Sequence, residues 1–163
     1  MNLYYGLTTL GIIHTIISLI AVVTGVVSLT RNGKITWDNT IGKVYVVTTI
    51  IVCLTGFGIF QHGGFGKPHA LGIITLVVWE VIYLAHQNKL GKFSRYIETI
   101  GYSLTFLFHI IPGVTESLTR LPYGAPVAAS PEDSTIKMIV GICFMIFLIG
   151  ATAQVRKMKT ETK

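Results

Sequence analysis

The stretch LTTLGIIHTIISLIAVVTGVVSLT, Leu7 to Thr30, decides the fold. Residues 1–30 contain no Lys, Arg, Asp or Glu. About 20 apolar residues at 1.5 Å each are enough to cross the roughly 30 Å of bilayer hydrocarbon. A cleaved signal peptide has basic residues ahead of a shorter apolar core. Here nothing positive precedes Arg31 and the run is too long, so it reads as a spanning helix that stays.

The rest of the chain agrees. Of its 163 residues, 51% are hydrophobic and 12% charged, with a mean hydropathy of +0.65. Soluble domains carry about 25% charged residues. Five spanning helices are expected, over about 3–30, 42–60, 68–85, 96–114 and 136–155, giving an all-α membrane protein built as a five-helix bundle. Pro68 suits a first helical turn, where its missing N–H is not needed. Pro112 and Gly113 are expected to break helix four about one turn past His109. An extracytoplasmic loop is expected over 115–135, within a single transmembrane domain. No internal repeat points to an inverted-repeat transporter.

Charge sets the orientation. Arg31, Lys34 and Lys43 flank or occupy the first connection; Lys89, Lys92 and Arg95 the third; Arg156, Lys157, Lys159 and Lys163 the tail. The second and fourth connections are poorer in Lys and Arg. The positive-inside rule therefore places the N-terminus outside and the C-terminus in the cytoplasm, with Tyr4 and Tyr5 in an outer aromatic belt. The net charge of +6 lies in loops and tail, where it meets anionic lipid. No basic helix or aromatic-basic platform suggests nucleic acid. Cys53 and Cys143 fall inside apolar runs without pair spacing and read as buried thiols.

This orientation gives the stretch FQHGGFGKPHA, Phe60 to Ala70, its interest. His62 and His69 fall at the outer face, and His109 lies late in helix four. His14, counted from Tyr5, is about 13 Å deep in helix one. Four histidines thus share the outer leaflet. Gly11, His14, Ser18, Ala21 and Gly25 form a small-and-polar stripe of the kind that packs against other helices. Tyr102, Thr105 and His109 form a similar face, and helix two supplies Thr49, Cys53 and Gly56. Ionisable side chains within the membrane are costly and mark function by default. Two imidazoles from different helices ligate a b-type haem, while three or four with Glu116 suit Zn²⁺ or Cu²⁺. The bland alternatives are interhelical hydrogen bonds for His14 and His109, a cap for His69 and an interfacial place for His62. Glu116 and Arg120 are spaced to pair on a helix. Glu80 reads as an intramembrane acid, partnered by a helix-four hydroxyl or moving protons. Glu98 is expected near Arg95, and His86 is expected to be solvated.

His14, the segment NTIGKVYVVT and the segment TGFGIFQHGGFGKPHALGIITL together resemble a family of small multi-pass bacterial membrane proteins of unknown function, over about residues 11–87. That family has a histidine near the position of Asn39 or Thr40, four residues before a Gly-x-x-Tyr; Gly42 and Tyr45 are present here and that histidine is not. The resemblance implies a polytopic protein of the bacterial inner (cytoplasmic) membrane and carries no reaction with it. The expected function is a histidine cluster binding haem b, zinc or copper in a redox or metal-handling role. The alternative is a non-catalytic membrane subunit, an assembly factor or a small transporter protomer. Expected partners are the lipid bilayer and a homo-oligomer or larger membrane complex.

Overall fold

The computed structural model describes residues 8–60 and 64–161. The expected outer belt at Tyr4 and Tyr5 and the expected ligand His62 lie outside them. Among the described residues the chain is all-helical: α1 (Thr9–Asn32), α2 (Thr40–Gly56), α3 (Lys67–His86), α4 (Ser94–Arg120) and α5 (Ser134–Thr160), with a 3-10 turn over Gly91–Phe93 before α4. By length and composition, four helices can cross a membrane: α1, α3, α4 and α5. α2 is apolar but has only 17 residues. The chain divides into two compact units, 1–102 and 103–163, with the boundary inside α4.

In the first unit α1 and α2 form a hairpin. The Thr8 hydroxyl starts α1 by accepting from the Gly11 N–H at 3.0 Å. Gly33, in the left-handed region at φ 70°, ends it, a position open to glycine because no Cβ opposes that twist. The connection then turns inward on Ile35, which is buried. Asn39 caps α2 by accepting from the Gly42 N–H at 2.8 Å. The α1 side of the hairpin is the predicted stripe: Gly11, Ala21 and Gly25 are buried, and it extends to buried Ser28. The α2 side is Gly42, Tyr45, Val46, Thr49 and Cys53. Small residues let two backbones approach where lipid gives no hydrophobic drive for association.

α3 buries Thr75, Trp79, Ile82 and Ala85. Trp79 links three helices, tilted against Tyr45 of α2 at 6.4 Å and edge-on to Tyr102 of α4 at 5.3 Å. Edge-to-face contacts of this kind suit the aromatic quadrupole. Gly101 lies directly against Ile82.

In the second unit α4 does not break at Pro112. It continues to Arg120 with the proline inside it, so the connection to α5 is shorter than expected, over 121–133. Pro112 removes one N–H, and the acceptor so released is the carbonyl of Phe108 four residues back. One lost bond does not outweigh the turns on either side. The connection folds back through Ala128, whose N–H donates to the Leu118 carbonyl at 2.9 Å. Within this unit the Ser103 hydroxyl of α4 donates to the Gln154 side-chain oxygen of α5 at 3.0 Å.

Asp133 caps α5, accepting from the Thr135 N–H at 2.8 Å. The Thr135 N–H, with its hydroxyl second, holds the Asp133 carboxyl below the usual carboxylate range. Because the folded pKa is depressed, the cap contributes fully above pH of about 4 and is lost as pH falls through the folded value. Asp133→Ala is therefore expected to fray the first turn of α5 at neutral pH, and acidification to do the same in the native chain. Amide exchange at Thr135–Lys137 checks both.

Candidate functional site

Within the first unit, His14, His69 and the His86–Glu98 pair have separate local partners. His14 faces α2: its Nδ1 lies 3.0 Å from the Thr55 hydroxyl, and its ring rests beside Gly56, where a Cβ would come within 3.4 Å of Cε1. The Thr55 hydroxyl already donates to the Ile51 carbonyl at 2.8 Å. A hydroxyl has one proton, so toward the imidazole it accepts. With the hydroxyl proton given to Ile51, the His14 proton is on Nδ1 and the lone pair on Nε2. Thr55→Val removes the contact and is expected to weaken the α1–α2 hairpin by about 0.5–2 kcal/mol. A double-mutant cycle with His14→Phe, read by unfolding in detergent, measures it.

His69 has the opposite tautomer. It is the third residue of α3, and its Nδ1 accepts from the Gly66 N–H at 3.2 Å. This is one half of a capping box, with an imidazole in the place usually held by Glu or Gln; Gly66 has no side chain with which to return the bond. The neutral ring then carries its proton on Nε2, which is buried without a hydrogen-bond partner among the described residues. Phe60 stacks on the ring at 4.9 Å and Phe65 lies tilted at 5.2 Å. A metal requires a lone pair at the nitrogen it binds. In this arrangement His69 presents an N–H instead, and as a ligand it would have to give up the cap.

His109 is buried in the second unit, one turn before Pro112. Glu116 and Arg120 pair along α4, as their spacing predicts. Glu98 takes a partner that the sequence reading did not assign: its Oε1 lies 2.8 Å from Nδ1 of His86. His86 is thus held across the α3–α4 turn rather than merely solvated. Glu80 is exposed on α3 and makes no hydrogen bond or ion pair among the described residues. Cys53 is buried and Cys143 half-buried, both as free thiols.

No group of three or more His, Cys, Asp or Glu side chains able to hold a metal ion occurs among the described residues. Gln154 was not singled out in the sequence, although a lone amide near the end of an apolar helix is a signal for a cross-helix hydrogen bond. No family model, curated protein or solved structure matches this chain.

Proposed function

We propose that the chain is a non-catalytic multi-pass subunit or assembly factor of a membrane complex. One observation carries this reading: the histidines whose partners are defined are engaged in building the helical frame. His14 joins α1 to α2, His69 caps α3 and His86 spans the α3–α4 turn. Imidazoles so used serve the assembly of the helices. The Lys and Arg distribution supports an N-terminus outside and a cytoplasmic C-terminus, and the resemblance to small bacterial multi-pass proteins supports the cytoplasmic membrane of a bacterium.

A second reading is favoured by the His14 tautomer. A second partner that holds the proton on Nδ1 and leaves the lone pair on Nε2 is the usual support for a haem- or metal-ligating histidine. Here Thr55 supplies that support. The group would be a b-type haem, zinc or copper, with His62 as the further ligand candidate.

One preparation separates the two. The protein is purified in mild detergent from cells supplied with iron, haem precursor, zinc and copper. Oxidised and reduced absorption spectra, elemental analysis and native mass are recorded on the same sample. The subunit reading expects no Soret band, no stoichiometric metal and a larger complex containing other chains. A reduced α-band or bound metal that disappears in His14→Ala would replace it with the second reading.

A further inference from the structure

Glu80 and Arg156 each stand on an exposed apolar face, and neither has an ion pair among the described residues. Glu80 is 13 positions into α3 and six from its end, about 9 Å short of the end at 1.5 Å per residue. Its face is formed by Ile73 and Val77, 46% and 59% exposed. A carboxylate at that depth on a lipid-facing surface is costly and requires a partner. Arg156 closes the apolar run of α5. It ends a shallow groove whose lining includes Ile149 and Ala153, and Ile149 is 68% exposed.

The two faces match in spacing as well as in charge. Ile73, Val77 and Glu80 are separated by four and then three residues. Ile149, Ala153 and Arg156 repeat that interval. Steps of four and three are the seam of left-handed helix pairing, which crosses at about +20°. Bulky Val77 falls opposite small Ala153, as a knob needs, and the next position on each seam brings acid opposite base. The register works only if the helices run parallel. α3 and α5 are separated by one crossing, α4, so in the proposed topology they traverse the bilayer in the same direction.

We infer that these faces are the two halves of a self-association contact: α3 of one copy docks on α5 of a second, with Glu80 paired to Arg156 at the inner end of the seam. A second copy is the occupant because the chain itself supplies both complementary surfaces. The contact is head-to-tail, so it assembles a closed ring once its rotation closes. Pairing removes the acid from lipid, and the Arg fork holds a carboxylate at two points. The inference rests on the proposed topology, but not on whether the complex contains other proteins or a cofactor.

The test uses the full chain in membranes, with Cys53→Ala and Cys143→Ala. One tagged copy carries Val77→Cys and a differently tagged copy carries Ala153→Cys. Oxidation is expected to give a mixed disulfide between the two tags. Glu80→Arg alone and Arg156→Glu alone are each expected to lower its yield about tenfold or more, and the double swap on both copies to restore it. The rescue controls for misfolding, as does Glu80→Gln, which keeps the shape and is expected to give an intermediate yield. No mixed disulfide, a Val77–Val77 bridge in its place, or a yield indifferent to the swaps would each overturn the contact. A self-associating chain with no other proteins in its complex would refute the subunit reading and leave this contact standing.

Discussion

Gly42→Ala is expected to destabilise the chain by about 1–3 kcal/mol, the usual cost of forcing atoms into a filled site. A Cβ at Gly42 would overlap the carbonyl oxygen of Thr36 and press on the rest of that peptide group. The obstacle is backbone, so it has no rotamer through which to escape. Relief requires the α1–α2 connection to lift, and that connection is anchored by buried Ile35 and by the Asn39 cap. The measurement is thermal or denaturant unfolding in detergent. Ile41→Ala, one residue earlier on a half-buried side chain, serves as the reference and is expected to cost less. Equal stability of Gly42→Ala and native chain would mean that the connection is not held where the structure places it.

The second large effect is expected at the α3–α4 crossing. A Cβ on Gly101 would stand 2.6 Å from Cγ1 of Ile82, and Ile82 is itself buried. Gly101→Ala should therefore cost about 1–3 kcal/mol by overpacking. Ile82→Ala should cost about 2–5 kcal/mol by opening a cavity. Because the added methyl fills part of the space the isoleucine leaves, the double variant is expected to be more stable than the sum of the two losses predicts. Additive losses would show that the two residues do not touch. Trp79 fluorescence offers an independent readout, since its contact with Tyr102 depends on the same crossing.

How much of this was legible beforehand differs between elements. The α1 run was fully legible, because hydropathy over 24 uncharged residues has one physical solution in a bilayer. Its buried stripe was legible too, since small residues at three- and four-residue spacing can mean little else in an apolar helix. At the end of α4 the proline reads as a stop when taken alone, yet the helix continues through Pro112 to Arg120, absorbing one lost hydrogen bond and the crowding of the ring against the preceding turn. Pairings between elements were largely hidden. His86 and Glu98 are 12 residues apart and meet only because the 3-10 turn reverses the chain, and Ser103 and Gln154 are 51 residues apart. The histidines show the same limit. A common depth is an expectation from counting along the sequence, whereas the nitrogen carrying each proton depends on Thr55 for His14 and on the Gly66 backbone for His69. Those neighbours separate two imidazoles that the sequence makes look alike.

The length of α2 has a consequence for the surrounding lipid. Its 17 residues rise about 26 Å at 1.5 Å per residue, while the 24 of α1 rise about 36 Å. Set in hydrocarbon about 30 Å thick, the first is too short and the second too long. α1 can tilt to fit; a crossing α2 would be matched by local thinning of the bilayer, by flanking side chains reaching outward or by association with other helices. With both arms across the bilayer, a hairpin this unequal would favour lipids with shorter acyl chains beside α2. In vesicles of graded chain length, the protein should partition toward the thinner ones.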